Sequence, residues 1–179
     1  DTTFEGGSNQ AADGSWRLRG AGRAVWGSIE EYTAVHASIA GDCRIEATLT
    51  DLAQVHEYTK AGVLVAGAIE PDSPFGFVGA TAAHGHEAAW RAEPGEPVDT
   101  TQIGDGDVVP GWYRIDRLGD RLTCYTSVDG ETWRPVDQHV LPLGQQAGVG
   151  LLVNSHEATE PAEAVFENVR IVELDRPTP

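Results

Sequence analysis

YTSVDGETW, residues Tyr125 to Trp133, runs from a strand-like segment through an Asp129-Gly130 pair to a large apolar side chain. Aspartate and glycine tolerate the positive φ that tight hairpin turns demand, so the pair predicts a β-hairpin closed by Trp133. Outward from that turn, Trp112–Leu118 and Arg121–Ser127 read as strands before it and Arg134–Val140 as the strand after it. Further upstream Ser15–Arg19, Tyr32–Ile39, Cys43–Leu49, Ala61–Ala68, Phe75–Ala82 and His86–Ala92 have strand character, and downstream Gln146–Asn154 and Ala164–Glu173 follow. Glycine, proline or aspartate separates most of them, and the 21 Gly and 10 Pro favour many strands over a few long helices. Glu93–Pro110, with its prolines and Gly104-Asp105-Gly106, reads as a long loop of the kind that often carries function. No heptad or solenoid repeat is visible.

The 179 residues are enough for one well-buried core, so residues 1–174 are expected to form a single all-β domain with 175–179 as a tail. A formal charge of −16 excludes nucleic acid as an expected partner, because phosphate recognition relies on clustered lysine and arginine. Anionic membranes are disfavoured on the same ground, and no apolar run approaches the ~20 residues needed to cross a bilayer. The chain begins at Asp1 without a signal-peptide pattern, as would an exported protein trimmed to its mature end. Cys43 shares a strand face with Ile45 and Leu49, and Cys124 shares one with Leu122, so both thiols are expected in the core. Two buried free thiols are the preferred reading over a disulfide, which needs Cα atoms within ~7 Å.

The ordered set AVWGSIEEY (24–32), GDCRIEATLTDL (41–52), KAGVLVA (60–66), PGWYRIDRLGDRLTCYTSVDGETW (110–133), GVGLLVNSH (148–156) and AVFENVRI (164–171) resembles the concanavalin A-like, laminin G-type jelly-roll domains of exported prokaryotic proteins. The resemblance spans nearly the whole chain. Its most specific parts are the Trp-x-Arg strand, the Ser-x-Asp-Gly-x-x-Trp hairpin, the Gly-Leu strand ending in Ser-His and the closing Phe-x-Asn-Val strand. It implies two antiparallel sheets forming a sandwich, an extracellular or cell-surface location, and a concave face that in many such domains carries a glycan.

Strand parity predicts which side chains would line that face. In KAGVLVA, Ala61, Val63 and Val65 form one set and Lys60, Gly62, Leu64 and Ala66 the other. Ala88 and Trp90 oppose Glu87 and Arg91, and Leu151 and Val153 oppose Asn154 and His156. The expected carbohydrate-binding set is therefore Lys60, Glu87, Arg91, Asn154 and His156 as hydrogen-bonding groups, with Trp26 as a stacking surface. Solvated polar sheet faces would show the same pattern. Ala66 departs from the family, which often has arginine there, and its absence removes a bidentate donor. Trp133 and Trp16 are expected in the core.

His84 and His86 flank Gly85 but lack further ligands at zinc spacing. The resemblance makes a structural calcium ion a more plausible metal than zinc, with Asp105 and Asp107 as the oxygen donors on offer, but their loop lacks an EF-hand pattern and an unliganded solvated turn is its preferred reading. Glycosidases need two carboxylates across the scissile bond. The Glu-x-Asp-x-Glu and Glu-x-Asp-x-x-Glu strand patterns of enzymes sharing this sandwich are absent, as is a G-x-S-x-G elbow. A non-catalytic carbohydrate-binding or accessory module is the first expectation. A structural or adhesive surface subunit and a glycoside-acting enzyme with an unrecognised carboxylate site are the alternatives.

Overall fold

The computed structural model describes residues 6–23, 25, 31–70, 72–104 and 108–175. Among them are thirteen strands: β1 (Gly7–Gln10), β2 (Trp16–Gly20), β3 (Thr33–Ala40), β4 (Cys43–Leu52), β5 (Lys60–Ala66), β6 (Phe75–Thr81), β7 (His86–Arg91), β8 (Asp99–Ile103), β9 (Gly111–Leu118), β10 (Arg121–Ser127), β11 (Arg134–Val140), β12 (Gln146–Asn154) and β13 (Ala162–Glu173). They form a seven-stranded sheet A in the order β1-β2-β13-β4-β9-β10-β11 and a six-stranded sheet B in the order β3-β12-β5-β6-β7-β8. Every pairing is antiparallel. The molecule is all-β, as its turns predict, and a two-sheet sandwich, as the family resemblance implies. No helix of the described residues is long and apolar enough to cross a membrane.

The core lies between the inner faces. Sheet A contributes Ile45, Leu49, Tyr113, Ile115, Leu122 and Phe166; sheet B contributes Val63, Val65, Val78, Val149, Leu151 and Val153. Removing each such aliphatic or aromatic side chain from water stabilises by roughly 1.5–3 kcal/mol, which makes this interface the main cohesive element. Cys43 and Cys124 are buried free thiols within it, and burial raises the Cys43 pKa to about 11. Burial likewise pushes the Cys124 thiol upward.

Two strands were not predicted. β8 lies inside the segment expected to be loop, as an edge strand paired only with β7, and β1 is a short polar edge strand whose four residues are all exposed. The 125–133 stretch forms a hairpin, but its connection is longer than a two-residue turn. β10 ends at Ser127 and β11 begins at Arg134. Gly130 supplies the positive φ of 74°, and the Asp129 carboxylate accepts from the amides of Glu131 (2.9 Å) and Thr132 (2.7 Å) and from the Ser127 hydroxyl (2.9 Å). Those donors hold Asp129 well below the usual carboxylate range.

Trp133 is a correction: it is half-buried on the outer side of sheet A rather than in the core. Its ring meets Trp112 edge-on at 6.4 Å, and the Arg114 guanidinium lies 5.4 Å from it. Trp16 packs against the core as expected. On the same outer face Asp116 accepts from Arg44 Nε (2.7 Å) and Nη2 (2.9 Å) and from Arg114 Nε (2.7 Å). Burial alone would raise the Asp116 pKa, but the two guanidinium groups outweigh it and hold the carboxyl below its ordinary value.

Candidate functional site

The outer face of sheet B follows the parity of the sequence, with Lys60, Leu64, Ala66, Glu87, Ala89, Arg91, Leu152 and Asn154 on one side. Its environment is not an open polar strip. Leu64, Ala66, Phe75, Phe77, Ala89 and Leu152 form a second buried cluster together with Val25 and Val98, which come from outside the strands. Lys60 and Glu87 are buried beside it, with Nζ to Oε1 at 2.5 Å. Arg91 is also buried; its Nε donates to the Glu96 carbonyl at 2.5 Å, and its guanidinium lies 5.8 Å from the Phe75 ring centre. Asn154 Nδ2 donates to the carbonyls of Gly22 (3.1 Å) and Glu31, which ties the segment before β3 to the end of β12.

At one end of this face the register Asn154, Lys60, Thr81 runs across three neighbouring strands. Three connections meet just beyond it: residues 53–59, 82–85 and 155–157. Backbone contacts weld them together. Ala82 N donates to Thr59 O (2.8 Å), Ala83 N to Glu57 O (3.1 Å), and Thr59 Oγ1 to Ser155 O (2.9 Å). Four half-buried rings gather on this rim. His56 and His156 have centroids 4.4 Å apart, Tyr58 stacks on His84 at 4.3 Å with 19° between planes, and Tyr58 lies 5.7 Å from His156. His84 Nε2 is 3.0 Å from the exposed carboxylate of Glu57.

His156 is held by its backbone, with a φ of 64° that side-chain-bearing residues rarely adopt and an amide that donates to Asn154 Oδ1 at 3.1 Å. Burial lowers its pKa, and the neighbouring His56 and Lys60 lower it further against the smaller pull of Glu157 and Glu87. The neutral imidazole is therefore the favoured form. The rim thus offers apolar ring faces bordered by imidazole nitrogens, a phenol and a carboxylate, above a buried lysine and glutamate.

No protein-family model matches the chain, and no curated protein sequence does. Solved structures do match by shape. A functionally unknown protein from Saccharomyces cerevisiae aligns with a TM-score of 0.74 at 15% identity, over 95% of this chain and 93% of that one. The carbohydrate-binding module CBM66 from Bacillus subtilis aligns at 0.59 and 18% identity, over 95% and 93%. The metal-free form of lectin I-B4 from Griffonia simplicifolia aligns at 0.58 and 11% identity, over 94% and 91%. The fold is the concanavalin A-like jelly roll.

Within the jelly roll the sequence-predicted set divides. Lys60 and Glu87 are in contact, His156 joins the rim above them, and Asn154 anchors the rim from below. Arg91 lies at the far end of β7, against Phe75 and the segment around Glu96. Trp26 lies outside the described residues. Ala66 is fully buried in the second cluster. Two ring-bearing residues of the rim, His56 and Tyr58, were not singled out by sequence reading. Only the pairing of β5 with β6 and β12 brings positions 56, 58, 84 and 156 together, so no local spacing marks them. His84 and His86 do not act as a pair: His84 turns outward to Tyr58, and His86 turns inward, its Nδ1 2.9 Å from the Tyr113 hydroxyl. Burial lowers the His86 pKa and raises that of Tyr113.

Among the described residues no group of three or more His, Cys, Asp or Glu side chains is placed to hold a metal ion. Asp105 and Asp107 lie outside those residues.

Proposed function

We propose that this protein is a non-catalytic carbohydrate-binding module of an extracellular protein, and that the His56, Tyr58, His84 and His156 rim is where a glycan docks. The observation that carries this reading is the gathering of four ring side chains with Glu57 at one end of sheet B. A sugar presents a C–H face suited to an aromatic surface and hydroxyls that both donate and accept. Tyr58 and the imidazoles match the first, while Glu57, the imidazole nitrogens and the Tyr58 hydroxyl match the second. The shape likeness to a carbohydrate-binding module and to a lectin supports the reading at the level of fold. Lys60 and Glu87 position the floor beneath His156 rather than meeting solvent themselves.

The test is a glycan-array screen of the purified protein across neutral and acidic polysaccharides, with calcium and again with chelator. Calorimetry of any hit against Tyr58→Ala and His84→Ala follows. A saturable hit that Tyr58→Ala weakens about three- to tenfold, the size of one lost ring contact, supports the rim. Loss of binding in chelator would add an ion to the site. Absence of any glycan hit would turn the jelly roll into a structural or adhesive subunit. Turnover abolished by one carboxylate substitution would make it an enzyme.

A further inference from the structure

Three of the four rings of the rim are imidazoles, the side chain whose charge changes in the physiological range, and two of them have no place for a second proton. His56 Nδ1 accepts the Tyr58 amide at 3.1 Å, within the same connection. That bond fixes the neutral tautomer with its hydrogen on Nε2, because a protonated Nδ1 would turn its own N–H against the donor. His156 Nδ1 is buried and finds no acceptor among the described residues. An imidazolium donates from both nitrogens, so charging His156 where it stands would leave one donor buried and unsatisfied. The two ring centroids are 4.4 Å apart, a separation at which two imidazolium charges repel strongly when shielded from bulk water.

The groups facing this pair do not offset the repulsion. Lys60 of β5 adds a like charge from below, and its partner Glu87 of β7 is committed to it at 2.5 Å. Glu157 pulls the other way, but less than burial, His56 and Lys60 together. Glu57 is turned to His84, whose Nε2 lies 3.0 Å from the carboxylate, so a charge on that ring keeps its contact. His156 is held in its place by its left-handed backbone and by the bond from its amide to Asn154 Oδ1. The bonds from Ala82 N to Thr59 O and from Ala83 N to Glu57 O join backbone to backbone and carry no titrating group, so a response to acid is confined to the rings.

We propose that the rim is a pH-operated assembly: it is closed while His56 and His156 are uncharged and comes apart on acidification, when one ring leaves the pair and the Tyr58 amide loses its acceptor. The proposal rests on the docking reading given above and adds that a docked glycan is released in acid. The experiment is a ¹H–¹³C and ¹H–¹⁵N NMR titration of the intact protein alone, from about pH 8 to about pH 5, following the rings of His56, Tyr58, His84 and His156 and the backbone amides of the core. The His156 midpoint is expected below the ordinary value of about 6.5, and the Tyr58 ring signals should shift along the same curve while the amides of Val63 and Val149 hold still. His56→Asn is the informative variant, because an asparagine oxygen accepts from the amide two residues on without titrating. In it the Tyr58 ring should stay fixed and the His156 midpoint should rise. The glycan array repeated at about pH 5 should weaken its rim hits about tenfold or more. Tyr58 signals that stay fixed while the histidines titrate, that move equally in His56→Asn, or that move only as the core amides collapse would each overturn the switch, as would a rim hit equally strong at both pH values. The full ring response with no glycan bound at neutral pH would uphold the switch and overturn only the docking reading.

Discussion

The outer faces of the two sheets flank one core and obey the same alternation, yet they solve opposite problems. On sheet A the outward set is charged: the half-buried Arg44 and Arg114 interlock around the buried Asp116, and Trp112, Tyr125 and Trp133 lie across them. On sheet B the outward set is itself a second core, with Leu64, Phe75, Phe77 and Leu152 packed beneath Val25 and Val98, and the charges Lys60, Glu87 and Arg91 enclosed with them. A charge next to water can relax when its partner is lost, whereas a charge sealed in apolar surroundings cannot. The comparison teaches that the polar residues of sheet B are structural first. Where the sheet ends and its connections rise into the rim, ring and polar groups gather at solvent.

Breaking the Lys60–Glu87 pair should have the largest effect. Lys60→Ala or Glu87→Ala strands one buried charge and is expected to cost about 3–5 kcal/mol in denaturant unfolding, while Lys60→Met combined with Glu87→Leu should lie near the parent or above it. Equal losses in the single and double variants would show that the pair is solvated and the two faces alike. Asp116→Asn on sheet A should cost less, about 2 kcal/mol. Because the folded protein holds Asp116 below its ordinary value, its contribution is complete above a pH of about 4 and is lost as pH falls through the folded value. The variant should therefore show a flatter acid limb in stability measured against pH.

Gly130→Ala comes next at about 1–2 kcal/mol, since a Cβ there would sit 2.8 Å from the Trp112 ring on a backbone with positive φ. The smallest expected effect is at the rim. Burial disfavours the charged form of His156, so below a pH of about 6.5 the unfolded chain takes up a proton that the folded one resists, and stability declines with acidification. His156→Asn should reduce that slope, read by thermal melts between neutral and mildly acidic pH. Asparagine also tolerates the left-handed backbone at this position.

The strands with clear alternation or continuous apolar character, from Cys43–Leu49 to Gln146–Asn154, were legible because one buried face imposes its period on the residues. β1 was not: GSNQ is exposed on every residue, so nothing in it records a core. β8 was hidden among prolines and glycines because an edge strand paired on one side needs few apolar residues. Trp133 misled for a related reason. Parity cannot be counted through a six-residue connection, and a tryptophan can be half-covered by another tryptophan and an arginine as well as by a core. Parity placed Lys60, Glu87 and Asn154 on the correct side but said nothing of what lies above them. His56 and Tyr58 come from a connection without period, and only the topology gives them His84 and His156 as neighbours.

Lys60 is the sole lysine of the chain, and it is fully buried. Under native conditions an amine-directed acylating reagent therefore finds no exposed lysine side chain. A single acyl group appearing at Lys60 by mass spectrometry would time the opening of the outer face of sheet B, so the molecule carries its own one-site clock for the exposure of that buried layer.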